Sequence, residues 1–185
     1  MAEVFAALAP LTVQDYRELP EGGPRYQLVD GDLHMVPFPN VFHQEISGNI
    51  ADLLRPFVKG RSLGKIFDAP LDVFLTETNV YQPDLLFVST ANLHFLKDDG
   101  VHGAPDLVIE ILSPTTSRLD LGAKKHVYAR CGVSEYWVVD PIKRTVSVYD
   151  LAKSVHSEAT WSEGASFGCR FFPGLSLQVA AIFAR

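Results

Sequence analysis

Apolar residues recur along this chain in two rhythms, and the switches between them mark out the elements. Over residues 41–58 they return every three or four positions, at Ile46, Ile50, Leu53, Leu54 and Phe57, the stripe of an amphipathic helix. Pro56 is expected to end or kink that helix, because proline removes an intrahelical donor. A second helix is expected over residues 119–131, with Gly132 at the position a left-handed residue commonly fills. Strand-length apolar runs occupy residues 26–29 and 32–36, joined by Asp30-Gly31, a dipeptide suited to a tight primed turn. Further strands are expected at 64–67, 71–75, 80–88, 107–112, 135–139, 145–149 and 167–172. Residues 107–112 are apolar on both faces, as in a buried central strand. Short helices are expected over residues 12–19 and 179–183, and residues 89–105 read as irregular or weakly helical. The sum is an α/β fold: a mixed β-sheet flanked by helices, with residues 119–131 as the main crossover.

Composition narrows this picture little. The 185 residues suffice for one domain with a real core, expected over 12–185 behind a flexible arm at 1–11. No apolar run is long enough for a bilayer, and the N-terminus lacks the basic leader of a signal peptide, so no membrane partner and a cytoplasmic location are expected. Cys131 and Cys169 are far apart and form no zinc motif, which leaves two buried thiols as the reading. The net charge of −6 weighs against broad contact with nucleic acid. Local basic clusters exist at Arg55, Lys59, Arg61 and Lys65, at Arg118, Lys124, Lys125 and Arg130, and at Lys143 and Arg144; each taken singly reads as a solvated face.

The candidate chemistry lies in two carboxylates set in apolar runs. Asp84 follows Pro83 and precedes Leu-Leu-Phe-Val; Glu110 stands between Ile109 and Ile111. Burying an ionised carboxylate costs on the order of several kcal/mol unless it is paired or bound to metal. Pro83 marks Asp84 as a strand-margin position. If the two strands are neighbours, both carboxylates can meet at one Mg²⁺, with oxygen-only ligation suiting a hard cation. The bland alternatives are a turn or cap for Asp84 and a core acid paired with Lys124 for Glu110. Asp120, Lys124 and Tyr128 fall four residues apart on one helix face. Taken alone, Asp120–Lys124 is a surface ion pair worth about 0.3–0.5 kcal/mol. If the helix covers the strand of Glu110, Lys124 reaches the site and can orient an attacking water or stabilise charge on a phosphate. The six histidines show no ligand spacing and read as bland.

Four segments together resemble the Uma2 family: Gln82-Pro-Asp84-Leu-Leu-Phe-Val88, Ala104-Pro-Asp-Leu-Val-Ile-Glu110-Ile-Leu-Ser-Pro-Thr-Thr116, Asp120-Leu-Gly-Ala-Lys124, and the run from Tyr128 to Pro141. The resemblance spans roughly residues 12 to 183. It implies a restriction-endonuclease-like core of the PD-(D/E)xK superfamily and Mg²⁺-dependent cleavage of DNA, with Mn²⁺ as a substitute ion. By that resemblance Asp84 and Glu110 are the metal ligands, and Asp84, Glu110 and Lys124 the catalytic set. The superfamily's lysine usually stands two residues after the second acid; here that place is Leu112, and Lys124 is its migrated substitute. Glu45 is a candidate auxiliary acid. Two other readings stand beside the endonuclease: a nucleic-acid-binding or assembly module of the same fold without catalysis, and a hydrolase of other phosphate esters. A homodimer through Tyr136 and Trp137 competes with the reading of both as ordinary core residues.

Overall fold

A computed structural model of the chain describes residues 9–20 and 22–185. Most of the expected N-terminal arm, residues 1–8, lies outside the described residues. Leu11 lies inside them and donates its N–H to the Gly31 carbonyl at 2.9 Å.

The elements run α1 (Val13–Arg17), β1 (Tyr26–Val29), β2 (Asp32–Met35), α2 (Val41–Gly60), β3 (Gly64–Asp68), β4 (Val73–Thr76), β5 (Asn79–Tyr81) and β6 (Leu85–Ser89). A 3₁₀ turn at Thr90–Phe95 leads to β7 (Leu96–Lys97), β8 (Gly100–His102) and β9 (Leu107–Ile111). Then come α3 (Ser117–Leu119), a wide π-type turn over Asp120–Lys124, and α4 (Lys125–Cys131). The chain continues with β10 (Glu135–Asp140), β11 (Thr145–Asp150), β12 (Glu158–Ser162), β13 (Ser166–Phe167), β14 (Leu177–Gln178) and α5 (Val179–Ile182).

Local chemistry accounts for the boundaries. Thr12 and Asp15 form a reciprocal capping box at the start of α1. Asp30 and Gly31 both take positive φ, 50° and 86°, which makes the β1–β2 turn of the primed kind. Asn40 caps α2 by accepting from the His43 N–H at 2.9 Å. Pro56 does not end α2, which runs on to Gly60. Pro56 is exposed, so the carbonyl it leaves without a donor faces water. Gly132 ends α4 at φ 100°.

Six strands form the central sheet in the order β12-β11-β10-β9-β6-β3. β9 and β10 run parallel, which the crossover through α3 and α4 requires; β6 meets β9 antiparallel. A second sheet has the order β2-β1-β5-β4-β8-β7. On one face of the central sheet, α2 buries Ile46, Ile50 and Leu54 against Leu107, Ile109, Ile111 and Trp137. On the other, α4 brings Val127 and Tyr128 onto Val108, Tyr136 and Tyr81. The second sheet reaches the central one through Val73 and Val101 against Leu86 and Val88.

Four expectations need correction. The stretch 80–88 is broken at Gln82-Pro83-Asp84, because proline cannot donate to the ladder. Residues 89–105 contain β7 and β8, strands of two and three residues, too short to leave a period in the sequence. β12 is a mostly exposed edge strand whose alternation is weak, Ala159 and Trp161 alone among polar residues, and residues 168–172 form no strand. The crossover is not one continuous helix: Gly122, at φ −110° and ψ −106°, leaves the helical region within it. Tyr136 and Trp137 are wholly buried and offer no surface to a second copy. Cys169 is buried and Cys131 partly so, both free.

Candidate active site

Strand alternation divides β9. Leu107, Ile109 and Ile111 turn to α2, while Val108 and Glu110 turn to the crossover. Glu110 is therefore driven into the interior, with 4% of its surface exposed. It is fully engaged there on one oxygen. Lys124 Nζ stands 2.5 Å from Glu110 Oε1, and the Tyr128 hydroxyl donates to the same oxygen at 2.9 Å. Lys124 also holds Asp120 Oδ1 at 2.9 Å, and the Tyr136 hydroxyl donates to the Asp120 carbonyl at 3.0 Å. Asp120 and Lys124 are each only 2% exposed. The surface ion pair expected from their spacing is thus a buried one, because the wide turn at 120–124 faces both side chains inward.

Asp84 arrives from the opposite direction. The β6–β9 register pairs Leu85 with Ile109, and one further step sets Asp84 across from Glu110. Pro83 has no N–H, so the ladder stops, and the Ile111 N–H turns instead to Asp84 Oδ2 at 2.7 Å. His43, in the first turn of α2, brings Nε2 to 3.2 Å from the same oxygen. Asp84, Glu110, Asp120, Lys124 and His43 all line one cleft of about 930 Å³ at this end of the sheet. Among the described residues, Asp84 Oδ1, Glu110 Oε2 and Asp120 Oδ2 accept none of the hydrogen bonds above, and none is sealed from solvent. Gln82 Oε1 and His43 Nδ1 are buried without a partner there.

The electrostatics follow from burial. Desolvation pushes the Glu110 carboxyl up to about 8, against the pull of Lys124. Burial acts to weaken the Lys124 ammonium's hold on its proton, but Glu110 and Asp120 outweigh it and keep the group charged well above the ordinary lysine value. Burial and the adjacent Glu110 raise the Tyr128 phenol far above its usual value, so it remains a donor. For His43, burial acts downward, and the hydrogen bond and charge of Asp84 overcome it, for a net upward shift.

Among the described residues no three His, Cys, Asp or Glu side chains stand close enough to cage an ion. The donor chemistry still fits a hard divalent cation, which uses one or two carboxylates and keeps several waters. Asp84 and Glu110 each keep one oxygen outside the hydrogen bonds above, in a cleft whose lining also carries Asp68, Asp120 and Asp140 against Arg25, Lys124 and Lys143.

Several sequence readings change here. His43, which shows no ligand spacing in the sequence, stands in the site, in the first turn of a helix capped by Asn40. Glu45, the candidate auxiliary acid, is outside the cleft and 3.8 Å from Arg185 Nε. Asp106 is occupied structurally, accepting from the Ser89 N–H and from Asn92. Leu112, two residues after Glu110, lines the cleft, and so does Lys124 from the crossover.

A mixed sheet flanked by helices, with an acidic cleft at the end of its central strands, defines an α/β fold of the restriction-endonuclease type. The Uma2 family model, described as "Putative restriction endonuclease", matches residues 13–180, and the chain belongs to that family. A crystal structure described as "a putative nuclease belonging to DUF820 from Anabaena variabilis" superposes with a TM-score of 0.80. It is 23% identical, with 94% of this chain and 98% of that chain covered, a likeness that shows the fold alone. No curated protein matches the chain. No described helix is long and apolar enough to cross a membrane.

Proposed function

We propose that the chain is a Mg²⁺-dependent endonuclease that hydrolyses DNA phosphodiester bonds, with Mn²⁺ as a working substitute. One observation carries this reading: Asp84, Glu110 and Lys124, from three separate segments, line a single cleft. Asp84 and Glu110 would hold the ion. When bound, it supplies positive charge against the phosphate oxygens and makes an attacking water more acidic.

The chain's own residues prepare that site. His43 and the Ile111 N–H fix Asp84 through Oδ2 and leave Oδ1 for the cleft. Tyr128 and Lys124 do the same for Glu110 through Oε1. Lys124, kept charged by two carboxyl groups, is no proton acceptor at neutral pH. Two of its three N–H donors go to Glu110 and Asp120, and the third is available to orient water or to meet charge developing on the phosphate.

The test is nicking of supercoiled plasmid DNA. Cleavage is expected with Mg²⁺, none with EDTA, and a loss of about 100-fold or more in Asp84→Asn. Cleavage that persists both in EDTA and in Asp84→Asn would sink the mechanism. One observation favours a second reading, a nucleic-acid-binding module without catalysis: Lys124 is closed in by Glu110 and Asp120 and is 2% exposed. Calorimetry separates the two, since that module binds no Mg²⁺.

A further inference from the structure

A second hollow lies further along α2. It has a volume of about 570 Å³ and is bounded by the end of α2, by β3 and by the 3₁₀ turn at Thr90–Phe95. Its floor is apolar, made by Val58, Ile66, Phe67 and Leu93, and its rim carries Arg55, Lys59 and Lys65. Among the described residues no acidic side chain lines it, in a chain whose net charge is −6. Arg61 stands beside it, its guanidinium 3.8 Å from the Phe57 ring centroid. All four cations are exposed. Among the described residues Arg55 has an acidic partner, Asp68, at 2.5 Å, while Lys59, Arg61 and Lys65 have none.

That one partner links the two hollows. Asp68 lines the cleft and Arg55 lines the hollow, so a single exposed ion pair stands between them. α2 borders both, with His43 at the cleft and Lys59 at the hollow, sixteen residues and about 24 Å apart at the usual helical rise.

We propose that this hollow is the continuation of the substrate path: a single strand of nucleic acid leaving the cleft crosses the Arg55–Asp68 pair and lies in it. Its phosphates meet Lys59, Lys65, Arg55 and Arg61, and its unpaired bases rest on the apolar floor. The charge contrast selects a polyanion, since acidic side chains outnumber basic ones in the cleft lining while the described lining of the hollow carries cations alone. The apolar floor selects unpaired bases, because a duplex keeps its base faces stacked inside. Arg55 can exchange Asp68 for a phosphate with little loss, as an exposed pair of this kind is worth at most about 1 kcal/mol. The assignment rests on the nuclease reading for what occupies the cleft, and adds where the strand goes.

The experiment is fluorescence anisotropy with a labelled 20-nucleotide oligothymidylate in EDTA, from 50 to 200 mM NaCl, for the wild type and Lys59→Gln/Lys65→Gln. A blunt duplex and polyglutamate serve as parallel probes, and melting curves confirm equal folding. Loss of two phosphate contacts on a single strand should reduce the slope of log affinity against log salt by about 1.4 and weaken binding about tenfold near 0.1 M salt. In Mg²⁺ the double variant should keep kcat and raise KM. An unchanged slope, equal weakening of polyglutamate binding, or an effect confined to the duplex would overturn the proposal. So would a wild type that binds no oligonucleotide. Binding that shows the expected slope without any cleavage would leave the strand path standing and remove the nuclease reading. Cleavage with a KM unmoved by the double variant would do the reverse.

Discussion

The two faces of the central sheet are covered by helices of similar role and opposite chemistry. Under α2 the contacts are aliphatic and aromatic: Ile46, Ile50 and Leu54 against Leu107, Ile109 and Ile111. Under α4, bordering the cleft, lie two carboxyl groups, an ammonium and two phenols in one network, Glu110, Asp120, Lys124, Tyr128 and Tyr136. Successive residues of β9 serve one face and then the other. The α2 face can hold the sheet together without directional bonds, so its identity matters little beyond volume. The α4 face is stable only while every member is present, because each charge there is tolerated on account of another. The difference teaches that one strand can carry stability and chemistry at once if the pleat keeps them apart.

The sharpest way to break this contrast is Lys124→Met. It keeps volume and removes the one cation between Glu110 and Asp120. The expected cost is about 3–5 kcal/mol, which lowers Tm by roughly 6–20 °C for a chain of this size, with cleavage lost. A melting curve like that of the wild type would show that the network does not hold the α4 face. Next is Leu54→Ala on the other face, fully buried in the wild type. It should cost about 2–5 kcal/mol through a cavity, yet leave the cleavage rate per folded molecule unchanged at a temperature well below its Tm.

Tyr128→Phe is a milder probe. Removing the hydroxyl that donates to Glu110 should cost about 1–3 kcal/mol in urea unfolding; no change would mean that Lys124 alone satisfies that oxygen. A last probe concerns pH. Glu110 is lifted from 4.5 to about 8 on folding, so the unfolded chain releases this proton at lower pH than the folded one. Its contribution to stability is therefore present in acid and lost as pH climbs through that window. In the metal-free protein, Glu110→Gln should give a flatter stability profile over the same range. Parallel profiles would place the charge burden elsewhere.

Much of this was legible in the chain. Helical spacing located α2, the Asp-Gly turn located the first hairpin, and the doubly apolar run located β9, because in each case the pattern and the local chemistry agree. An acid between two isoleucines drew attention to Glu110 for the same reason that it needs Lys124. What escaped had no local signature. β7 and β8 are too short to repeat a strand's two-residue alternation, and β12 is an exposed edge with only Ala159 and Trp161 apolar. The burial of Asp120 depends on Gly122 leaving the helix, and four-residue spacing alone suggests a solvated pair instead. His43 is brought to Asp84 by the position of a whole helix, which no short motif encodes.

β9 also sets a rule for how this chain can change length. A single residue inserted between Asp106 and Glu110 would rotate the remainder of the strand by half a turn, pointing the glutamate into hydrocarbon and an isoleucine at the lysine. The connection between β11 and β12 takes no part in the cleft and could absorb the same insertion. Gain and loss of residues among relatives should therefore gather in such connections, and this five-residue segment should keep one length even where its letters differ.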